Sequence, residues 1–204
     1  EITLVSEAGE FKVPLKKVAE GGLFEAVFKS VQPLGQYRFI SKYKNSTNEW
    51  TDPYSFKPYF KEEELRSFNL GTDRRPFQKL GSIPVEHQGV SGISFLVWAP
   101  SAKSVHLVGD FNLWNPVSLP MRSLGSSGCR ELFVPFAKIG DKYKYRILGV
   151  DGILREKTDP FAFRFEPPMG NASIIQSRNS LVGCDLQSRR DPRTSPLSVY
   201  EMHL

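Results

Sequence analysis

The chain has 204 residues, 40% hydrophobic and 24% charged, enough for one large domain or two small ones with packed cores. Its formal net charge of +5 is spread over interleaved Lys, Arg, Asp and Glu, which describes a solvated surface and argues against a nucleic-acid footprint. No apolar run nears the roughly 18 residues of a membrane span, and no signal peptide opens the chain. Cys129 and Cys184 have neither zinc spacing nor a His-rich neighbour, which fits a reducing, cytoplasmic setting and leaves one disulfide open. No cofactor or metal is expected: His87, His106 and His203 are dispersed. A first residue of Glu1, followed at once by an apolar run, reads as a piece of a longer protein.

Taken in order, Ile2-Thr3-Leu4-Val5 is a short strand signal, and Phe11-Lys12-Val13-Pro14-Leu15 alternates like an edge strand. Gly21-Gly22 turns into a strand over Leu23-Phe24-Glu25-Ala26-Val27-Phe28, and Pro33-Leu34-Gly35 turns again. Gln36 to Tyr43 is the best strand of this third, followed by the polar turn Asn45-Ser46-Thr47-Asn48, then Glu49-Trp50-Thr51 and Asp52-Pro53-Tyr54-Ser55-Phe56. Residues 61–69 predict a short helix, with Glu62, Glu63 and Glu64 in its first turn and Leu70-Gly71 at its end. Residues 74–81 are a second short helical or irregular piece of the same connector.

From Gln88-Gly89 the strand pattern resumes: Gly92 to Trp98, then Ser104 to Val108, Cys129 to Val134 and Lys142 to Ile147, with Asp151-Gly152 as a hairpin turn and Thr158-Asp159-Pro160-Phe161 closing the set. Short strands with Gly, Pro and Asn turns and few helices predict β-sandwiches. The two halves also repeat. Gly22 to Val27 lies over Gly128 to Phe133, with Glu25 on Glu131, an offset of 106; Tyr37 and Phe39 fall on Tyr143 and Tyr145 at the same offset, and Asp52-Pro53 on Asp159-Pro160 one residue further on. The fold expected is all-β: two tandem immunoglobulin-like sandwiches, the first truncated, joined by a partly helical connector. The expected division is 1–60, connector 61–85, 86–183 and a final 184–204.

The stretch Val108-Gly109-Asp110-Phe111-Asn112-Leu113-Trp114-Asn115 ends a strand in a turn that carries two aromatic rings. One ring can cap the sheet while the other faces out. An outward Trp beside Asn and Asp is a way to hold sugar, ring face on ring face and amides on hydroxyls. The opposite reading packs both rings in the core. The first half has only Ser6-Glu7-Ala8-Gly9 in place of this loop.

Val97-Trp98-Ala99-Pro100, the 108–114 stretch, Tyr143-Lys144-Tyr145 and Thr158-Asp159-Pro160 resemble the carbohydrate-binding module ahead of the catalytic barrel in starch- and glycogen-acting members of the α-amylase family. With Asp52-Pro53-Tyr54-Ser55-Phe56, Leu70-Gly71-Thr72-Asp73, Leu80-Gly81 and the closing Tyr200-Glu201-Met202-His203-Leu204, the chain resembles bacterial 1,4-α-glucan branching enzymes. That resemblance implies a non-catalytic N-terminal region, an α-glucan partner, a monomeric parent and a final run that is the first strand of a (β/α)8 barrel. It also implies carbohydrate contacts at Trp114, Lys144, Asn112 and Asn115. Gly is usual in the family where Leu113 stands, and Ile153-Leu154 replaces a second Trp of related glycogen-binding modules. A retaining transfer needs two carboxyl groups across the scissile bond, and in this family both lie downstream. Asp110, Glu131, Asp159 and Glu201 are therefore not expected to be catalytic. The competing readings are a stand-alone glycogen-binding regulatory module, a debranching or trehalose-forming sibling, and an immunoglobulin-like adhesion domain. The last lacks the Cys…Trp…Cys pattern.

Overall fold

A computed structural model describes residues 1–6, 11–29 and 35–177. The closing run that resembles a barrel strand, with Glu201, His203 and Cys184, lies outside the described residues, as does most of the Ser6-Glu7-Ala8-Gly9 turn. The first half forms one antiparallel sheet from β1 (Ile2–Ser6), β2 (Lys12–Lys17), β3 (Phe24–Glu25), β4 (Tyr37–Lys42) and β5 (Thr47–Thr51), in the order β3-β2-β1-β4-β5. A 3-10 turn at Pro53–Ser55 leads to a second at Glu62–Leu65 that runs into α1 (Arg66–Asn69), close to the helix expected over 61–69.

The strand pattern then resumes earlier than expected, at β6 (Gly81–His87), followed by β7 (Val90–Trp98), β8 (Ala102–Gly109), β9 (Arg122–Ser123), β10 (Cys129–Val134), β11 (Lys142–Gly149), β12 (Leu154–Lys157), β13 (Arg164–Phe165) and β14 (Ser173–Ile174). Pro84 obscures β6 in the sequence, yet β6 is an edge strand, where a missing N–H is tolerated. One sheet runs β6-β7-β10-β9. In the other, β8 pairs one side of β11, while β12 and β14 share the opposite side. Between these sheets lies a core of Ile93, Phe95, Val97, Leu132 and Val134 against Val105, Leu107, Tyr143 and Tyr145.

Residues 93–97 are all buried, so β7 has no solvent side there. Alternate residues of a strand face opposite ways. Phe95 turns into the sandwich, while Leu96 and Cys129 join a second cluster with Phe60, Leu65 and Leu80 of the connector. The segment 52–65 is thus strapped across the outer face of the sheet, and side chains of the second half bind its backbone. Arg122 Nη1 donates to Phe56 O at 2.7 Å, and Lys57 N donates to Gln88 Oε1 at 2.7 Å. His87 Nε2–H donates to Lys57 O at 2.7 Å, and Tyr59 N donates to Glu131 Oε1 at 3.1 Å. The Phe56 ring packs on Phe133 with centroids 4.8 Å apart. At Gly125 (φ +54°) a Cβ would overlap the Glu62 carboxylate, which accepts from Ser126 N at 2.7 Å.

The repeat is written into the strand register. Lys16↔Glu25 and Lys17↔Phe24 of the first half recur as Arg122↔Glu131 and Ser123↔Arg130. Thr3↔Pro14 recurs as His106↔Pro120, and Leu4↔Phe39 as Leu107↔Tyr145. Each half also closes on an Asp-Pro latch. Asp52 Oδ2 accepts from Tyr37 OH at 2.7 Å and its Oδ1 from Tyr54 N at 2.9 Å. Asp159 Oδ2 accepts from Tyr143 OH at 2.5 Å and Tyr145 OH at 3.1 Å, and its Oδ1 from Phe161 N at 2.8 Å. The strand expected over 23–28 shrinks to Phe24–Glu25: Val27 is 90% exposed, so its apolar pattern meets no partner layer.

The second latch is buried and the first is half open, which sets their relative worth. Tyr143→Phe should cost about 1.5–3 kcal/mol, the range for a hydrogen bond to a charged group, and Tyr37→Phe visibly less. Urea unfolding checks this, and equal losses would contradict it. Burial pushes the Asp159 carboxyl up, against its bonds from Tyr143, Phe161 and Tyr145. The folded state therefore binds this proton more tightly than the unfolded chain. Its stabilising contribution is complete below the unfolded pKa and is lost as pH rises through the folded one. Relative to the wild type, Asp159→Asn should gain stability as pH rises from about 4. A constant difference across that interval would refute the assignment.

Candidate carbohydrate-facing site

Residues 110–115 cross the end of the sandwich between β8 and the start of β11. The turn opens with a 3-10 element, Asp110–Asn112, whose N-cap Gly109 is fully extended. Gly109 lies against Lys142 O and the Phe111 ring, leaving no room for a Cβ. Leu113 (φ +53°) and Trp114 (φ +57°) are consecutive left-handed residues, and Asn115 N donates to Asn112 O at 3.0 Å. Positive φ at both central positions makes this a type I′ turn. Leu113 carries a Cβ in a conformation that favours glycine.

The two rings separate. Phe111 packs against the sandwich core, its ring 5.7 Å from Phe95. Trp114 stays 37% exposed, and its Nε1–H donates to Asp110 Oδ1 at 2.9 Å. The other carboxylate oxygen of Asp110 accepts from Lys142 N at 2.9 Å, so one side chain fixes the indole edge to the first residue of β11. A ring pinned by its edge and open on its surface loses little rotational freedom when a ligand stacks on it.

Lys144 sits on β11 opposite Val108 and between the buried Tyr143 and Tyr145, so by alternation it faces out, as do Lys142 and Arg146. The Lys142 ammonium lies 2.8 Å from Glu166, whereas Lys144 has no ion pair among the described residues. Asn112 is wholly engaged inside the loop: its Oδ1 accepts from Gly109 N at 2.9 Å, and its Nδ2 donates to Leu107 O, Asn115 O and Ser118 Oγ. It builds the turn and has no amide group left for a ligand. Asn115 Oδ1 accepts from Val117 N at 3.1 Å, which leaves Nδ2 as its donor. Asn115 lines a cleft whose walls do not include Trp114, so the four expected residues are not gathered on one surface.

The carboxylates set aside in the sequence have structural partners. Asp110 anchors Trp114, Asp159 closes a latch, and Glu131 is fully buried, with Arg122 Nη2 3.6 Å from its Oε2. Burial pushes the Glu131 carboxyl up, opposed by the Tyr59 N–H and the Arg122 charge. Among the described residues no group of three or more His, Cys, Asp and Glu side chains is placed to hold a metal, and no helix is long and apolar enough to cross a membrane.

Residues 79–162 match the model of the carbohydrate-binding module 48 family, described as the isoamylase N-terminal domain. The chain is 40% identical over 205 residues to the 1,4-alpha-glucan branching enzyme GlgB of Frankia casuarinae, covering 96% of this chain and 25% of that one. It is 39% identical over 197 residues to the enzyme of that name from Nostoc sp., covering 94% and 26%. With the one from Rhodopseudomonas palustris it shares 37% identity over 209 residues, covering 100% and 28%. The chain spans about a quarter of the length of the curated relatives it matches. Among solved structures, apo pullulanase from Paenibacillus barengoltzii is similar over 65% of this chain and 21% of its own, at 22% identity and a TM-score of 0.42.

Leu113 is 91% exposed, so removing its side chain forfeits little packing. Leu113→Gly should raise stability by about 1 kcal/mol, the penalty of a left-handed L-residue less the added freedom of the unfolded chain. A denaturant midpoint that falls in the variant would contradict the turn assignment.

Proposed function

We propose that this chain, whose residues 79–162 match the carbohydrate-binding module 48 model and which is similar throughout to 1,4-α-glucan branching enzymes, is a non-catalytic region of such an enzyme. The parent would cut α-1,4-glucan and rejoin the cut segment as an α-1,6 branch, with its catalytic carboxyls elsewhere in the chain. In this reading residues 1–60 and 86–183 are two modules, 61–85 joins them and 184–204 leads into the barrel. The parent is a cytoplasmic monomer acting on glycogen or maltooligosaccharides.

The observation that carries the reading is Trp114, held by Asp110 on a rigid turn and open to solvent beside β11. A glucosyl ring stacks on the indole and Lys144 donates to a hydroxyl, while Asn112 holds the turn in shape and Asn115 Nδ2 serves the neighbouring cleft. One aromatic platform is worth roughly 1–3 kcal/mol by analogy with base stacking, which gives weak, about millimolar binding once the cost of association is met. The stand-alone regulatory module is disfavoured by similarity to branching enzymes that runs through the first sheet and the connector as well as residues 79–162.

Trp114→Ala should remove the Trp114 share of the maltooligosaccharide-induced change in tryptophan fluorescence and leave the circular dichroism spectrum intact. Loss of the fold would make Trp114 a core residue, and a fluorescence change of undiminished amplitude would place the sugar elsewhere. The chain alone should leave iodine-stained amylose unchanged. Reproducible loss of stain with pure protein would put an active site within these residues.

A further inference from the structure

The turn that carries Trp114 has a second side. Between it and the end of the first sheet lies a cleft of about 410 Å³, within the range of small-molecule sites. Trp50 of β5 and Tyr54 of the strap line it from the first half, and Leu113, Asn115, Ser118 and Phe136 from the second. The four apolar side chains are all exposed, and such a gathering of exposed apolar surface marks an interaction site. Leu113 is the sharpest case: it holds a left-handed backbone against its own preference while its side chain lies in the open. Strain of this kind persists where the surroundings fix it, and it clusters at ligand-binding positions.

The polar groups define the ligand. Among the described residues no Lys or Arg lines the cleft, and the one carboxylate there, Asp52, is engaged on both oxygens by Tyr37 OH and Tyr54 N. Asn115 Nδ2 remains as a neutral donor, the Ser118 hydroxyl being engaged within the loop by Asn112 Nδ2 and Asn115 O, and Tyr54 OH, which donates to Pro120 O at 2.8 Å, keeps its oxygen as an acceptor. Aromatic walls with neutral donors and acceptors suit an uncharged ligand that is apolar on its ring faces and rich in hydroxyls at its rim. Hydrogen bonds hold both sides. Tyr54 OH ties the strap to Pro120, and Asn112 staples the loop, so the cleft exists before a ligand arrives.

From this geometry we infer a second α-glucan subsite, in which a maltooligosaccharide segment lies between Trp50 and Leu113, apart from the Trp114 surface. The inference rests on the reading that the chain binds α-glucan, and the test separates the two. Maltoheptaose is titrated into the isotopically labelled 204-residue chain. The Trp50 indole N–H and the Asn115 side-chain amide report on the cleft, the Trp114 indole N–H on the other surface, and Trp98 serves as a control.

In the wild type both sets of signals should move. In Trp114→Ala the cleft signals should move with a midpoint within about twofold of the wild type. In Leu113→Gly, which relieves strain and keeps the fold, the Trp114 signal should still move while the cleft midpoint rises at least about fivefold. Three results overturn the subsite: cleft signals that stay still while Trp114 titrates, a cleft response that vanishes in Trp114→Ala, or a Leu113→Gly midpoint equal to wild type. An equal response to cellohexaose, a β-linked glucan, overturns the assignment to α-glucan. A cleft that titrates while Trp114 does not removes the Trp114 surface and leaves the subsite standing. If neither titrates, the glucan reading fails and the subsite with it.

Discussion

The constraint on which the rest depends is that the central strands have no solvent face over residues 93–97 of β7 and 131–134 of β10. One side of each builds the sandwich core, and the other is roofed by residues 52–65 and α1. A roof without regular hydrogen bonding must satisfy its backbone some other way, since buried unpaired peptide groups are costly. Here the sheet supplies the partners from side chains, through Arg122, Gln88, His87 and Glu131. Glu131 is the telling member. Its counterpart in the repeat, Glu25, stands on the exposed surface opposite Lys16, while Glu131 opposite Arg122 is fully covered. The strap turns a surface pair into a buried one, and the Tyr59 N–H takes over the part of water.

The same strap fixes the first sheet against the sandwich. Tyr37, Asp52 and Tyr54 form its latch, and the Tyr54 hydroxyl goes on to the backbone at Pro120. That contact sets Trp50 and Tyr54 facing the 110–119 loop, and so creates the cleft. The loop is rigid for a separate reason. Asp110 gathers the Trp114 indole and the Lys142 N–H, and Asn112 ties together Gly109, Leu107, Asn115 and Ser118. Two short polar side chains thus convert an exposed turn into a platform, and the aromatic ring on it is positioned by hydrogen bonds more than by packing.

Much of the fold could be read from the sequence because the repeat repeats interactions. Tyr37 and Tyr143 bond Asp52 and Asp159 in equivalent latches, and pairs of residues keep their register across both halves. The unbroken apolar run through Phe95 and Leu96 marked a strand but could not say what would cover its outer side, which comes from a distant, irregular segment. β6 escaped notice because Pro84 masks its pattern, and the strand over 23–28 was over-read because apolar alternation needs a partner layer to matter. At the site, an aromatic residue in a polar turn pointed to Trp114. The structure resolved which ring folds inward, since Phe111 meets Phe95. The left-handed backbone of Leu113 runs against its propensity, and the approach of Trp50 to the loop is a tertiary fact with no local trace.

The account stands on Trp114 being a preformed platform for α-glucan. A crystal structure of the chain grown with maltoheptaose tests this most directly. It should show a glucosyl ring stacked on the Trp114 indole, the Asp110 contact unbroken, and a sugar hydroxyl about 3 Å from Lys144 Nζ. A bound oligosaccharide that leaves Trp114 bare, or an indole that has swung away from Asp110 to pack on protein, would contradict it.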